Sequence, residues 1–321
     1  PDRRGAGGVS IDIVEATPAA TRLAPGPVRT AAVRPRVIET VAEYSEALDA
    51  VRRSGRTVGV VPTMGALHQG HRSLISRATS ECDVVAVSIF VNPTQFGDPA
   101  DLADYPRPLE ADLEAIASVG AQLVFAPSVA EMYPDPPGTA ATSVSVPALG
   151  TRWEGASRPG HFDGVATVVV KLLSAAGRCR AYFGEKDFQQ LALVTRVVRD
   201  LALPTRVVGC PTVRDPDGLA LSSRNARLDP EARRAALVLS RALRAGAERL
   251  ADGAGPGEVE AVMDQVVARE PRVELDYAAL VTADDLEPAR TGATARPLRL
   301  MVAATVGGVR LIDNVDPHRG T

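Results

Sequence analysis

Short apolar runs alternate with longer segments of helical periodicity between about residues 36 and 211. The runs are rich in Val, Ile and Phe, too short for helices and flanked by turn residues, which is typical of buried strands. They predict five strands, at residues 57–61, 83–92, 121–127, 179–184 and 205–211. The periodic segments predict five helices, at residues 37–55, 71–81, 108–120, 162–177 and 187–201. This alternation indicates an α/β fold, with a Rossmann-like parallel sheet covered on both faces.

The pattern changes after about residue 212. Two amphipathic helices are predicted at residues 229–253 and 257–270, and three strands with more alternation follow at residues 273–282, 298–306 and 308–314. Gly307 and Gly308 suit a two-residue hairpin turn, since its central residues favour positive φ. These elements predict a smaller C-terminal α+β domain. The predicted organisation is a disordered tail (1–34), a Rossmann-like domain (35–211), the α+β domain (212–316) and a short tail (317–321).

Composition narrows the class of protein. The 321 residues carry a net charge of −3, which gives no electrostatic case for nucleic-acid binding. No apolar run reaches the roughly 18 residues that a membrane span requires. The three cysteines form no CxxC pair, so we expect buried free thiols in a reducing cytoplasm. The sequence therefore predicts a cytoplasmic protein without a nucleic-acid or membrane partner.

The stretch PTMGALHQGH (62–71) follows the first predicted strand and contains two of the four histidines. In an open parallel sheet, ligands bind beyond the carboxyl ends of the strands, where this stretch lies. Gly65 and Gly70 allow the backbone to approach a ligand closely, and the start of the next helix favours phosphate. His68 and His71 can donate hydrogen bonds to phosphate oxygens. A helix cap and a zinc pair are the alternatives, although a third metal ligand is not evident nearby.

Two further segments place polar residues near the same predicted edge. Asn92, Gln95 and Tyr105 follow the second predicted strand, and neutral amides can bind a hydroxyl or a carboxylate without adding charge. The loop 97–105 is either a lid or an ordinary surface loop. In the segment 154–165, Arg158 and His161 either reach the site or shape the entry into a helix.

Lysine is rare in this chain, because Lys171 and Lys186 are the only lysines among 36 basic residues. Lys171 lies in an apolar helix and is expected to extend to the surface. Lys186 follows the fourth predicted strand, where its ammonium can contact phosphate oxygens or remain a solvated turn residue. Asp187 is a plausible N-cap for the next helix. Residues 222–224, Ser-Ser-Arg, form either a phosphate-binding set or a helix-capping loop.

Five motifs in this order, PTMGALHQGH, VSIFVNPTQF, RPGHF, FGEKDFQQL and LSSRN, resemble the pantoate–β-alanine ligase family. HxGH by itself marks the wider nucleotidyltransferase superfamily, and the other four motifs narrow the resemblance. It spans about residues 36–316. Two features depart from the family pattern, since Thr94 stands where methionine is common and the N-terminal tail is additional. The alternatives are another HxGH enzyme, an adenylyl- or cytidylyltransferase, and a non-catalytic nucleotide-binding module.

The resemblance implies an ATP-dependent, AMP-forming ligase that condenses (R)-pantoate with β-alanine through pantoyl adenylate. It also implies Mg²⁺ held by phosphate oxygens, no protein metal site, and a homodimer. By resemblance, the catalytic residues are His68, His71 and Lys186. The ATP-binding residues are Met64, Gly65, Ala66, Leu67, His68, Gln69, Gly70, His71, Gly184, Glu185, Lys186, Asp187, Val213, Leu221, Ser222, Ser223 and Arg224. The residues expected to bind pantoate or β-alanine are Gln95, Gln190, Asn92, Tyr105, Arg158 and His161.

Overall fold

The computed structural model describes residues 34–135, 141–290 and 296–319. The tail predicted for residues 1–34 lies outside this part except for Arg34, and so do residues 320–321 of the second predicted tail. None of the described helices is both long and apolar enough to cross a membrane.

The first sheet has six parallel strands. Their bounds are β1 (Arg36–Ile38), β2 (Val58–Thr63), β3 (Val84–Ile89), β4 (Leu123–Phe125), β5 (Cys179–Gly184) and β6 (Thr205–Cys210). The spatial order is β1-β4-β3-β2-β5-β6, and every neighbouring pair is parallel. The predicted Rossmann-like sheet is therefore confirmed.

One predicted element is wrong at its start. The helix expected from residue 37 begins only at Val41, because Thr40 caps it by accepting a hydrogen bond from the backbone N–H of Glu43. The residues before it form β1, which pairs with β4 at the edge of the sheet. Three residues are too few to show a strand period, so the pattern merged them with the helix.

Helices cover both faces of this sheet. The bounds in the first two thirds of the chain are α1 (Val41–Arg53), α2 (Gln69–Glu81), α3 (Pro99–Ala103), α4 (Leu109–Ser118), α5 (Val129–Met132), α6 (Pro147–Gly150), α7 (Glu154–Ser157), α8 (His161–Ala176) and α9 (Phe188–Asp200). Successive residues of a strand face opposite sides. Accordingly, Val60 of β2 packs in the core that contains Leu173 of α8, whereas Val61 packs with Ile75 of α2 and Ile116 of α4.

The strand order reverses between β2 and β5. From β2 the chain proceeds to β3 and β4 on one side of the sheet, and β5 and β6 lie on the other side. In open α/β sheets the crevice at such a reversal, outside the carboxyl ends of the strands, is where ligands bind. The HxGH stretch follows β2 and the FGEKD stretch follows β5, so the fold brings both stretches to this crevice.

The C-terminal part forms the predicted α+β unit. The helices are α10 (Pro230–Ala251) and α11 (Pro256–Ala268), and the strands β7 (Val273–Thr282), β8 (Leu298–Val306) and β9 (Val309–Val315) form an antiparallel sheet in that order. Gly307 and Gly308 have φ of +55° and +77°, as the predicted hairpin turn requires. One face of this sheet packs on its own two helices, while Val281 and Met301 on the other face join the core of the first domain. The boundary at residues 211/212 stays a prediction.

Candidate active site

A buried carboxylate holds the loop after β2. Gly65 and Ala66 both have positive φ, of +83° and +51°. The carboxylate of Asp112 on α4 accepts hydrogen bonds from the backbone N–H groups of Ala66 and Leu67, at 2.9 and 2.7 Å. Asp112 is only 3% exposed. It was missed by the sequence analysis, although it lies on the buried stripe of α4 beside Leu113, where an acidic residue needs a partner.

The two histidines cap α2 with the same ring nitrogen. The Nδ1 atom of His68 accepts from the backbone N–H of Gly70 at 3.1 Å, and Nδ1 of His71 accepts from the backbone N–H of His68 at 3.4 Å. A neutral imidazole has one N–H, so these bonds place that hydrogen on Nε2 of both rings. The ring centroids lie 4.1 Å apart. Both histidines therefore cap the helix, as the helix-cap alternative predicted. Because the caps use only Nδ1, the Nε2 atom of each ring can still donate to a ligand.

Gly70 is required where the ring of His68 folds over the start of α2. A Cβ atom at residue 70 would lie 2.8 Å from Cε1 of His68, closer than real Cβ contacts. The same hypothetical atom lies 4.0 Å from Cβ of Leu221, so the start of α2 abuts the segment that leads to the Ser-Ser-Arg motif.

The environment favours neutral histidines. Burial, followed by the positive charge of Lys186, lowers the pKa of His68. Burial, followed by the charge of His68, lowers the pKa of His71 to about 4. Before a ligand binds, the two rings are therefore neutral hydrogen-bond donors at pH 7 rather than resident cations.

Asn92 supports Gln95 at the carboxyl end of β3. Asn92 is 1% exposed, and its Nδ2 atom donates to Oε1 of Gln95 at 3.1 Å and to the backbone oxygen of Gly164 at 3.2 Å. Its Oδ1 atom accepts from the hydroxyl of Tyr133 at 2.9 Å. Both amide hydrogens of Asn92 are thus in use. A direct contact between Asn92 and a substrate stays a prediction, and it would require one of these bonds to break.

The side-chain amide of Gln95 retains a hydrogen-bond donor that is available to a substrate. Its Nε2 atom lies 3.0 Å from Sδ of Met64, and sulfur is a weak acceptor. The surrounding turn, Pro93–Gln95, packs closely on α8, because a Cβ atom at Gly164 would lie 2.3 Å from the backbone oxygen of Thr94. Thr94 itself donates from its hydroxyl to Oδ1 of Asn92 at 3.0 Å, so this departure from the family pattern adds a bond within the turn.

His161 and Arg158 brace the same turn from the start of α8. Arg158 donates from Nη1 to Nε2 of His161 at 3.1 Å, so the hydrogen of His161 is on Nδ1 and is donated to the backbone oxygen of Gln95 at 2.8 Å. Burial, followed by the charge of Arg158, lowers the pKa of His161 to about 4. Both ring nitrogens of His161 are occupied by Arg158 and by the turn that carries Gln95, and a contact between His161 and a substrate stays a prediction.

The residues Glu185–Asp187 form a single 3-10 turn after β5, here called the lysine turn. The side chain of Lys186 is 16% exposed, and its Nζ atom lies 3.7 Å from Oδ1 of Asp187. Asp187 occupies the N-cap position of α9, as predicted, but its side chain makes no capping bond there. Lys171, in contrast, is exposed as predicted, with Nζ 5.5 Å from the centre of the Tyr133 ring.

A cleft that is open to solvent, with about 500 Å³ of space between its walls and at its mouth, lies beside the lysine turn. It brings together six residues that the sequence analysis named: Arg158, His161, Lys186, Asp187, Gln190 and Arg224. A narrower adjoining cleft of about 320 Å³ is lined by Lys186, Ser222 and Arg224, among others. Lys186 and Arg224 thus line both clefts.

The Ser-Ser-Arg motif sits at the end of a short hairpin. The backbone N–H of Leu221 donates to the oxygen of Val213 at 2.9 Å, and Gly218 turns the chain with φ of +93°. Residues Ser222–Arg224 are here called the serine–arginine turn. The hydroxyl of Ser222 accepts from the backbone N–H of Arg224 at 3.2 Å, so this hydroxyl caps a 3-10 turn while its segment faces the cleft.

Neither Gln69 nor Tyr105 lines the two clefts beside the lysine turn. Gln69 is exposed at the start of α2. Tyr105 is partly buried with its ring edge-on to Phe96, at a centroid distance of 5.8 Å. The loop between Phe96 and Tyr105 contains the short helix α3. Asp98 caps this helix by accepting a hydrogen bond from the backbone N–H of Ala100. Whether this loop moves as a lid stays a prediction.

The described residues also bear on metal and thiol chemistry. Across residues 34–135, 141–290 and 296–319, no group of three or more His, Cys, Asp or Glu side chains could hold a metal ion. The alternative of a zinc pair at His68 and His71 therefore gains no third ligand from the described residues. All three cysteines are buried free thiols, as predicted.

Comparison with known proteins decides the family. A sequence model described as pantoate-beta-alanine ligase matches residues 36–316, nearly all of the described chain. The chain belongs to this family. The match contains all five motifs and every candidate site residue named above.

Relatives in the family are similar over most of their length. The pantothenate synthetase of Chelativorans sp. (strain BNC1) is 50% identical over 279 residues, which are 87% of this chain and 96% of that protein. The pantothenate synthetase of Rubrobacter xylanophilus is 51% identical over 269 residues, 82% of this chain and 92% of that protein.

Solved structures of the family have the same fold. Pantothenate synthetase from Thermus thermophilus superimposes with a TM-score of 0.80 at 46% identity, over 88% of this chain and 99% of that one. Pantoate-beta-alanine ligase from Francisella tularensis, complexed with beta-gamma ATP and beta-alanine, has a TM-score of 0.70 at 35% identity, over 89% of this chain and 99% of that one.

Proposed function

We propose that the crevice between β2 and β5 binds MgATP beside (R)-pantoate, forms pantoyl adenylate, and passes the pantoyl group to β-alanine. The enzyme class is that of the family, an ATP-dependent ligase of pantoate and β-alanine. The observation that supports the mechanism is the proximity of three features beside the strand-order reversal. The charge of Lys186 acts on both imidazoles, the start of α2 abuts Leu221 next to the serine–arginine turn, and Lys186 and Arg224 line the same cleft.

In the first step, a carboxylate oxygen of pantoate attacks the α-phosphorus of ATP. The bond between this phosphorus and the bridging oxygen of pyrophosphate breaks, and negative charge accumulates on the non-bridging oxygens. We propose that His68 and His71 donate to these oxygens from Nε2, and that Lys186 contacts the same phosphoryl group. Ser222, Ser223 and Arg224 hold the pyrophosphate as it leaves.

The pKa of about 4 for His71 bears on whether this residue transfers a proton or only donates a hydrogen bond. A group that is neutral at pH 7 stabilises a phosphoryl charge by donating a hydrogen bond, without transferring a proton. The negative charge of bound ATP opposes this pKa shift, since a nearby anion favours the imidazolium. We therefore propose hydrogen-bond donation as the main contribution of His71.

The amide side chains are proposed to hold pantoate. Gln95 offers its Nε2 donor at one end of the crevice, and Gln190 lines the larger cleft. Met64 and Pro62 at the end of β2 supply apolar surface for the two methyl groups of pantoate. His161 and Arg158 act through the turn that carries Gln95, and both also line the cleft.

In the second step, the amine nitrogen of β-alanine attacks the carbonyl carbon of pantoyl adenylate. The bond from this carbon to the phosphate oxygen breaks, AMP leaves, and the extra proton on nitrogen is released. AMP is a much better leaving group than oxide, which is why the carboxylate must first be activated. A crevice that excludes water limits hydrolysis of the adenylate.

Three further assignments belong to the proposal. Mg²⁺ would enter with the nucleotide and would supply positive charge at its phosphate oxygens. The chain works as a homodimer, which analytical ultracentrifugation tests. It works in the cytoplasm, where three buried free thiols remain reduced.

The test is ATP–pyrophosphate exchange with Mg²⁺ and pantoate, with β-alanine left out. Exchange that requires pantoate is expected, because formation of the adenylate is reversible, and added β-alanine should then yield AMP and pantothenate. Exchange without pantoate, or with CTP in preference to ATP, would move the assignment to another HxGH nucleotidyltransferase.

A further inference from the structure

One side chain of β9 reaches the lysine turn. Asn314 is 4% exposed, and its Nδ2 atom donates to the backbone oxygens of Glu185 at 3.0 Å and Lys186 at 2.7 Å. Both amide hydrogens of Asn314 are therefore used on two successive peptide groups of the turn. The backbone of Lys186 is held by a residue 128 positions later in the chain.

Arg299 on β8 fixes the orientation of this amide. Its Nε atom donates to Oδ1 of Asn314 at 2.7 Å, and its Nη2 atom donates to the carboxylate of Glu185 at 3.0 Å. The guanidinium carbon also lies 4.1 Å from the centre of the Phe188 ring. A reversed amide of Asn314 would set its oxygen against two carbonyl oxygens and its NH₂ group against the guanidinium. Only the observed orientation therefore satisfies every group.

The preceding residue of β9 holds the segment that leads to the serine–arginine turn. Asp313 accepts two hydrogen bonds from Arg214, at 2.6 and 2.9 Å, and the Asp313 side chain is 4% exposed. Arg214 also donates to the backbone oxygen of Gly218 at 3.1 Å, inside the hairpin before Ser222. Neighbouring residues of a strand point to opposite faces. One dipeptide of β9 can therefore hold the two segments on either side of it.

We propose that Asp313 and Asn314 are positioning residues, which keep the lysine turn and the serine–arginine turn at a fixed separation across the nucleotide. This inference rests on the proposed function, because it requires Lys186 to contact the transferring phosphoryl group. A displacement of about 1 Å in a reacting group can lower the rate about 100-fold, so the rigidity of this spacing matters. The C-terminal sheet thereby takes part in catalysis by holding both turns in place.

Asn314→Ala and Asn314→Asp test the proposal. Both variants remove the two donors, and the aspartate also keeps the size of the side chain and its acceptor for Arg299. We expect kcat of pantoate-dependent exchange to fall about 10- to 100-fold, with the KM of pantoate unchanged within about twofold. Thr282→Val is the matched control, because Thr282 is a buried hydroxyl donor of the same sheet that bonds the backbone oxygen of Glu287 instead. Its exchange rate should equal that of the wild type.

A double-mutant cycle separates positioning from general destabilisation. If Asn314 acts through Lys186, Asn314→Ala should lower exchange by less than about twofold in the Lys186→Ala background. An equal loss in both backgrounds would overturn the proposal, and so would a folded Asn314→Asp enzyme with the kcat of the wild type.

Asp313→Asn tests the other half of the pair. Loosening the serine–arginine turn should raise the KM of ATP about fivefold or more, with a smaller change in kcat. An unchanged KM of ATP would remove Asp313 from the proposal. Absence of pantoate-dependent exchange in the wild type would instead refute the proposed function, so the two failures are distinguishable.

Discussion

Replacing Asp112 by asparagine tests whether one carboxylate holds residues 64–68 after β2, here called the histidine loop, in the observed conformation. The carboxylate accepts two backbone N–H groups, and asparagine of the same size turns an NH₂ group toward one of them. A hydrogen bond to a charged group contributes about 1.5–3 kcal/mol, and a non-glycine residue with positive φ, such as Ala66, costs about 1–2 kcal/mol. We therefore expect Asp112→Asn to disfavour the observed loop by about 2–3 kcal/mol, which lowers the ratio of observed to relaxed loop about 30- to 150-fold.

The assay is pantoate-dependent ATP–pyrophosphate exchange, together with urea unfolding. The kcat/KM of Asp112→Asn should fall by about the same 30- to 150-fold, whereas the free energy of unfolding should fall less, because the loop can relax without unfolding the domain. Asp229→Asn is the matched control, since Asp229 also accepts from two backbone N–H groups, at 2.9 and 2.8 Å, but at the start of α10. An exchange rate of Asp112→Asn within threefold of the wild type would refute the reasoning.

The geometry of the site leads to three other predictions. His71→Gln and Lys186→Ala should each lower the exchange rate about 10²- to 10⁴-fold, and near-normal turnover in either variant would remove that residue from the mechanism. The pKa of about 4 for His71 in the folded state lies below the unfolded value of about 6.5, so the unfolded state binds a proton at this site more readily. The free energy of unfolding therefore keeps its full value above pH 6.5 and falls by about 3 kcal/mol as the pH falls to 4. Urea unfolding at pH 7 and pH 4.5 should show a smaller decrease for His71→Gln than for the wild type, and equal decreases would contradict this pKa. Gly164→Ala places a Cβ atom 2.3 Å from the backbone oxygen of Thr94, so it should raise the KM of pantoate by displacing Gln95, and an unchanged KM would show that the turn tolerates the shift.

The first sheet was predictable because five of its strands are short apolar runs bounded by turn residues. Its edge strand β1 was not, since of its three residues only Ile38 is buried, and a strand that short has no period. The C-terminal sheet was predictable for a different reason. Its strands are long, and Gly307 and Gly308 mark the turn between the last two. Periodicity reports which face of an element is buried, but it carries no information on which strands become neighbours.

The part of the site next to strand ends was predictable, because parallel strands bring their carboxyl ends to one edge. The residues that support it were not, since Asp112, Arg299 and Asn314 lie far along the chain from the loops they hold. A weaker signal was present. Arg299 interrupts the apolar strand LRLMVAATV, and a charged residue in such a strand indicates a buried polar partner. The sequence does not name that partner, because the contact depends on how the two sheets pack.

The bonds from Asn314 to the lysine turn also bear on the order in which the active site forms during synthesis. Domains fold as units, the N-terminal one first. The first sheet and the histidine loop can therefore form while the C-terminal strands are still unmade. The lysine turn has to wait, because the amide that holds it is translated 128 residues after Lys186. We expect a nascent chain to form its first sheet early and to acquire its adenylating activity late, when β9 has joined the C-terminal sheet and completed the clefts.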